Sequence, residues 1–277
     1  MPLLRRRRDR PREGGRPRQA RSAGRCRAVR RGAGGSGVTP EVASEVARPD
    51  WLERLAGSLP QVGAAVAEHL GARTRAARAE GVRLGARSGR RAAVLVLFGP
   101  GADGAGDVVL LERASGLRSH SGQIAFPGGG VEDDDGGDPV RAALREAREE
   151  VRLDAAGVEV LGVAPALDVP PTGASVVPVL AWEPEPSALG VGDPVEVARV
   201  LRVPLPVLTD PASRAVVRTR SGWTGPTFAL GGDLVAWGFT AAVLDALLRV
   251  AGLERPWDAS RALPLSAVTG GVPEAGR

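Results

Sequence analysis

The chain has 277 residues with 37 basic and 32 acidic side chains, a formal charge of +5 and a sequence pI near 10.9. Its one cysteine, Cys26, excludes a disulfide framework or a cysteine-ligated metal centre within a single chain, and no apolar run approaches the roughly 18 residues of a membrane span. Those limits favour a cytoplasmic protein with no membrane partner.

The basic balance comes from one end. Residues 1–37 hold thirteen of the 37 basic residues against only Asp9 and Glu13, with many glycines and almost no apolar side chains. Such a segment cannot bury a core, which predicts a disordered tail. The rest of the chain is net acidic and therefore does not read as a nucleic-acid binder by charge. The tail also lacks the interleaved aromatics that would stack on bases, and it lacks the apolar stretch of a secretory signal.

Residues 38–90 read as a helical preface. Trp51, Leu52 and Leu55 share one helical face, Ala64, Val66 and Leu70 continue further along, and Pro60 is expected to interrupt between them. Ala92 to Phe98 and Asp107 to Glu112 are apolar runs separated by the turn-forming GPGADGAG, which predicts a hairpin of two buried strands.

The next stretch, SHSGQIAFPGGGVEDDDGGDPVRAALREAREEVRL from Ser119 to Leu153, carries the candidate chemistry. Asp138 followed by Pro139 is a helix start, and Val140, Leu144, Ala147 and Val151 recur as an apolar stripe. Glu146, Glu149 and Glu150 fall together on nearly the opposite side. A solvated acidic face is the simpler explanation, with Arg145 pairing Glu149. Yet like charges at i,i+4 cost roughly 0.2–0.5 kcal/mol, and carboxylates near a helix C-terminus oppose the macrodipole. A divalent cation such as Mg²⁺ or Mn²⁺ would reverse both penalties.

The run REAREEVRL, Arg145 to Leu153, resembles the second half of the Nudix box, the signature of hydrolases that cleave a diphosphate linked to another moiety. Upstream, RASGLRSHSGQIAFPGG, Arg113 to Gly129, resembles the additional motif of the coenzyme A pyrophosphatase branch. Two motifs in the right order are more specific than either alone. The chain departs from the pattern in two places. Arg152 stands where the family has glycine, so the helix is expected to leave by another route, through Gly157. Counting back from Arg145 puts Gly137 at the position of the first box glutamate and Val131 at that of its glycine. The loop therefore carries about two extra residues, and Glu132, Asp133, Asp134, Asp135 and Asp138 compete for the missing acid.

The resemblance implies roles. Glu146, Glu149 and Glu150 would hold Mg²⁺ or Mn²⁺, and Arg145 would orient their carboxylates through its fork of donors. Gly128 and Gly129 would let backbone approach metal or phosphate. Arg113, Arg118, His120 and Gln123 would bind substrate, and Glu196 would be a fourth carboxylate acting as base or extra ligand. The implied substrate is coenzyme A or an acyl or oxidised derivative. The alternatives are ADP-ribose or a dinucleoside polyphosphate, a non-catalytic binding domain on the same fold, and a nucleic-acid or RNA-cap role for the tail. A homodimer is a further candidate assembly.

Beyond the box, Val158 to Val163 and Ser175 to Trp182 read as strands, and VAWGFTAAVLDALL, Val235 to Leu248, as a tryptophan-glycine turn opening a helix. The expected architecture is an α/β/α sandwich of Nudix type around a mixed sheet. A tail (1–37) and helical segment (38–90) precede the domain (91–255), and a C-terminal tail (256–277) follows it.

Overall fold

The computed structural model describes residues 47–79, 89–117, 121–169, 173–218 and 223–268. The Arg-rich segment and Cys26 lie outside the described residues.

Two helices come first, α1 (Asp50–Ala56) and α2 (Leu59–Ala79). Pro60 falls inside the first turn of α2 and starts that helix instead of breaking it. Amides of a first turn have no helical acceptor, so a missing N–H there costs nothing. The break lies at Gly57 and Ser58, where the Ser58 carbonyl accepts from Gln61 N at 3.0 Å and Val62 N at 3.3 Å.

The strands β1 (Arg91–Gly99), β2 (Asp107–Arg113), β3 (Ile124–Ala125) and β4 (Gly128–Gly130) lead into helix α3 (Pro139–Val151). After it come β5 (Glu159–Val163), β6 (Leu167–Val169), β7 (Ala174–Trp182) and β8 (Val197–Pro204), the short helix α4 (Leu205–Thr209), β9 (Arg214–Arg218), β10 (Thr224–Gly231) and β11 (Leu234–Ala236). Helix α5 (Gly238–Val250), β12 (Ala262–Pro264) and α6 (Leu265–Val268) complete the described chain.

Strands β1 to β8 form one mixed sheet. At its centre β1 runs parallel to β7, in register from Arg91 opposite Ser175 to Phe98 opposite Trp182. The expected β1–β2 hairpin pairs only at its closed end, Phe98 with Val108 and Gly99 with Asp107. Strand β2 then leaves to pair with β8. The vacated edge of β1 is taken by β4, Val94 opposite Gly128 and Ala92 opposite Gly130. This divergence sets the glycine strand inside the sheet, beneath α3.

Alternation sorts the apolar side chains onto two faces. Leu95, Leu97, Val109, Leu111, Val179 and Ala181 pack with Ala142, Ala143, Ala147 and Val151 of α3. Val96, Phe98, Val108, Leu110, Leu180 and Trp182 pack on the other side with Leu52, Val62 and Val66 of α1 and α2 and with Val243, Leu244 and Leu247 of α5. Trp51 meets Phe98 edge to face at 5.1 Å between ring centroids. The fold is thus an α/β/α sandwich around a mixed sheet.

A second sheet, ordered β11-β10-β9-β12, was not foreseen from sequence. The segment beyond residue 256, expected as a tail, supplies its β12, which runs parallel to β9. That segment also supplies Trp257, whose ring lies 4.3 Å from the Arg214 guanidinium, with the Phe228 ring also close at 4.8 Å. Arg214 is buried and donates to Asp245 and, at 2.9 Å, to Glu254. Asp245 also accepts from His69 Nε2 at 3.2 Å and Arg249 Nη2 at 2.9 Å, which joins α2, α5 and β9 through one carboxylate.

Candidate active site

Helix α3 begins as the sequence indicates. Asp138 caps it by accepting from Val140 N at 2.9 Å, with Pro139 as the first helical residue. It ends differently. The exit lies at Arg152 itself, in the left-handed conformation at φ 57°, and not at Gly157. The Ala147 carbonyl accepts from Leu153 N at 3.2 Å, and Arg152 N turns to the same carbonyl. A side-chain-bearing residue thus performs a turn for which glycine is preferred.

The acid that pairs with Arg145 is Asp135, one of the five candidates. Arg145 Nε reaches Asp135 Oδ1 at 3.2 Å and Nη2 reaches Oδ2 at 3.1 Å, a two-pronged pair. Asp135 is buried and also accepts from Glu132 N at 2.8 Å. The Arg145 hydrogen bonds, then the backbone donor, hold its carboxyl below the ordinary aspartate value. A turn of 3₁₀ helix, Asp133–Asp135, ends in left-handed Gly136 and turns this side chain inward. The counted position, Gly137, instead offers its carbonyl to Arg91 Nη2 at 3.1 Å.

Arg145 uses its remaining donors on the carboxylates of α3 and the glycine strand. Nη1 donates to Glu146 Oε1 at 3.1 Å and Glu149 Oε2 at 3.2 Å, and Nη2 to the Gly130 carbonyl at 2.9 Å. One planar guanidinium therefore ties the box loop, the helix and β4 together.

The three glutamates are not equivalent, which corrects the expectation that they fall together on a face opposite the apolar stripe. Side-chain exposure runs from 58% at Glu149 to 15% at Glu146 and 5% at Glu150. Because α3 lies on β4, Glu150 sits at the flank of the buried stripe, while Val140 and Leu144 are only partly covered. Its Oε2 accepts from Gly128 N at 2.8 Å, and its Oε1 lies 3.8 Å from Arg113 Nη1. Burial pushes the Glu150 carboxyl up to about 7; the Gly128 donor and Arg113 oppose the rise, and the charges of Glu146 and Glu196 add to it. Burial likewise raises Glu146, against the pull of Arg145.

Gly128 is required by space, and Gly129 by the place of the Glu146 carboxylate. A Cβ on Gly128, at φ 154°, would lie 2.7 Å from the Val94 Cα and overlap the Ala93 carbonyl. One on Gly129 would strike the Glu146 carboxylate, 2.8 Å from its Oε2. Bare backbone is what lets the two carboxylates reach β4.

Arg113 is at the mouth of a loop closed by Arg113 N donating to the Gln123 carbonyl and Gly122 N to the Arg113 carbonyl, both at 3.0 Å. Among the described residues, its buried Nε has no hydrogen-bond partner. Arg118 and His120 lie outside the described residues. Glu196 follows a turn built on Asp193, and its carbonyl accepts from Ala114 N at 2.8 Å, which brings the end of β2 beside it. Sequence reasoning missed Gly190, Gly192 and Asp193, whose loop packs against the end of α3. Nothing in a loop containing VGDP marks them.

Among the described residues, no group of three or more acidic, histidine or cysteine side chains is gathered as a ready cage for a metal ion. The donor set still suits a hard divalent cation. It is all carboxylate oxygen, and among the described residues the nearest cation to the buried Glu150 is Arg113 at 3.8 Å, so its charge is only partly compensated.

Residues 89–219 match the family model of the NUDIX domain, a span that includes every residue of this cluster. A Nudix hydrolase, NudL, of Cronobacter sakazakii, itself described as uncharacterized, is 44% identical over 98 residues, covering 35% of this chain and 50% of the relative. The protein of the same description from Escherichia coli K12 is 43% identical over the same share. The chain thus spans about half the length of the curated relatives it matches. Among solved structures, a Nudix hydrolase from M. smegmatis, RenU, aligns with TM-score 0.44 at 23% identity over 65% of this chain and 94% of that one. One from Alicyclobacillus acidocaldarius aligns with TM-score 0.39 at 20% identity over 58% and 91%. No helix among the described residues is long and apolar enough to cross a membrane.

Proposed function

We propose that the protein hydrolyses the diphosphate linkage of coenzyme A, or of an acyl or oxidised derivative, with Mg²⁺ or Mn²⁺. Water adds to one phosphorus and the bridging P–O bond breaks, giving adenosine 3′,5′-bisphosphate and the 4′-phosphopantetheine portion. The observation that carries this reading is the cluster in which Arg145 gathers Asp135, Glu146 and Glu149 beside the buried Glu150.

Glu146, Glu149 and Glu150 are the residues that would hold the metal. A bound divalent ion polarises phosphoryl oxygens and lowers the pKa of water. Arg145 fixes the rotamers of Glu146 and Glu149, and the Gly128 N–H fixes Glu150. Arg113, whose guanidinium lies near Glu150 and whose Nε has no hydrogen-bond partner among the described residues, is assigned to the substrate's phosphates, together with Arg118, His120 and Gln123. Glu196 is assigned as proton acceptor. The coenzyme A assignment rests on the run Arg113 to Gly129, whose base abuts Glu150.

The test is hydrolysis of coenzyme A with Mg²⁺ or Mn²⁺, the products separated chromatographically, for the parent and Glu150→Gln. Release of adenosine 3′,5′-bisphosphate that collapses in the variant supports the reading. Cleavage of ADP-ribose with coenzyme A untouched moves the substrate elsewhere in the class. Inertness toward a nucleotide panel favours a binding domain.

A further inference from the structure

The C-terminal end of α3, which carries Glu149 and Glu150, is gripped by a segment far along the chain. Gly192 N donates to the Glu150 carbonyl at 2.9 Å and Gly190 N to the Val151 carbonyl at 3.1 Å. These are carbonyls of a last turn, which have no partner within the helix. The two glycines differ in the space around them. A Cβ on Gly190 would meet only the Arg152 side chain, at 3.8 Å, an ordinary contact. A Cβ on Gly192 would overlap the Glu149 carbonyl oxygen and lie 2.8 Å from its carbon and 3.2 Å from the Glu150 carbonyl carbon. Backbone is what stands in the way there, and backbone cannot swing aside as a side-chain tip can.

The same segment then turns on Asp193. Its Oδ1 accepts from Val195 N at 2.8 Å, and its carbonyl accepts from Glu196 N at 3.2 Å and Val197 N at 2.9 Å. Three residues after Asp193, the Glu196 carbonyl takes the Ala114 amide, next to Arg113. One short loop therefore touches the helix end bearing Glu149 and Glu150, carries Glu196, and ties down the strand end bearing Arg113.

We propose that Gly192 is a positioning residue for the carboxylates at the end of α3: by admitting the loop against the Glu149 carbonyl, it sets where Glu149, Glu150 and Glu196 stand relative to one another. This rests on the metal-dependent reading above. The absent side chain is the functional property, because any Cβ pushes the loop and the last helical turn apart.

The experiment compares the full-length parent with Gly192→Ala, Gly190→Ala and Asp193→Ala, titrating Mn²⁺ and following the free-ion signal by electron paramagnetic resonance. Thermal unfolding without metal is run in parallel. Gly192→Ala is expected to weaken Mn²⁺ binding by about tenfold or more while still unfolding cooperatively, as expected when the support of a ligand set is displaced. Gly190→Ala should match the parent. Asp193→Ala, which loosens the turn without a clash, should weaken binding in the same direction, and it carries the test should Gly192→Ala not fold. Parent-like Mn²⁺ binding by both Gly192→Ala and Asp193→Ala overturns the positioning role. A parent that binds no Mn²⁺ overturns the metal reading, and this proposal with it.

Discussion

Arg145 and Asp135 form a two-pronged ion pair across the box loop, with contacts of 3.2 and 3.1 Å. Loss of the carboxylate should leave Arg145 attached to Glu146, Glu149 and the Gly130 carbonyl, with its Nε unanchored. Asp135→Asn is expected to reduce kcat by about 10- to 100-fold, the range seen when the partner of a ligand-orienting group is removed. Asp134→Asn, at an exposed neighbour in the same turn, should behave as the parent. Steady-state rates on the best diphosphate substrate decide it, and equal losses in both variants would show that the pair has no special part.

The raised Glu150 gives a pH signature in metal-free protein. Burial first, with the charges of Glu146 and Glu196, lifts its carboxyl from an ordinary 4.5 to about 7. The folded state therefore binds the proton more tightly than the unfolded state. Stability from this group is present below about 4.5 and is lost as pH rises through 7. The loss is at most about 3 kcal/mol. Urea unfolding at about pH 5.5 and about pH 8, on either side of the raised value, should show the decline. Glu150→Gln should flatten it, and added Mg²⁺ should reduce it at the higher pH.

Arg152 holds a left-handed conformation with a side chain attached. Removing the Cβ relieves that strain, so Arg152→Gly should stabilise by about 0.5–1 kcal/mol, read as a higher denaturation midpoint. A lower midpoint would mean that contacts of the arginine side chain outweigh its backbone cost.

The cluster around Arg214 should govern acid stability. Burial alone would push the Asp245 carboxyl up, but the His69 hydrogen bond and the charges of Arg214 and Arg249 together hold it below the ordinary aspartate value. A depressed carboxyl stabilises above its unfolded pKa, and that contribution is lost as pH falls through the folded value. Arg214→Leu leaves Asp245 buried with weaker compensation. It should cost about 3 kcal/mol near neutral pH and shift the acid-unfolding midpoint upward. Circular dichroism across an acid titration measures both.

Much of this site was readable in the sequence because the signals were local. Asp138 and Pro139 mark a helix start by chemistry that needs no tertiary context, and the spacing of Glu146, Glu149 and Glu150 follows from helical geometry. The burial of Glu150 was not readable, because it depends on β4 lying under α3, which follows from β2 and β1 parting after Val108. Asp135 hid among five acids because extra loop residues erase the register by which it would be counted. The left-handed Arg152 contradicts the residue preference that sequence reading relies on. Gly192 gave no signal at all, since its need for bare backbone is created by a helix far away in sequence. Trp257 and β12 were read as tail because short polar-flanked segments show their purpose only against β9 and Arg214.

The parallel register of β1 and β7 has a bearing on how the protein comes into being. Arg91 faces Ser175, so the chain from β2 to β6, with all of α3, forms a single large loop closed by that pairing. Closing a loop of that size costs about 4 kcal/mol of chain entropy before its contacts return anything. Glu150 and Arg113 both reside inside it, while Gly192 lies beyond its closing strand. During synthesis, the central pairing of the sheet on which α3 rests therefore waits until β7 has been made and joined to β1. The segment that clamps the helix end is made later still, so its hydrogen bonds to the Glu150 and Val151 carbonyls are among the last contacts around α3 to form.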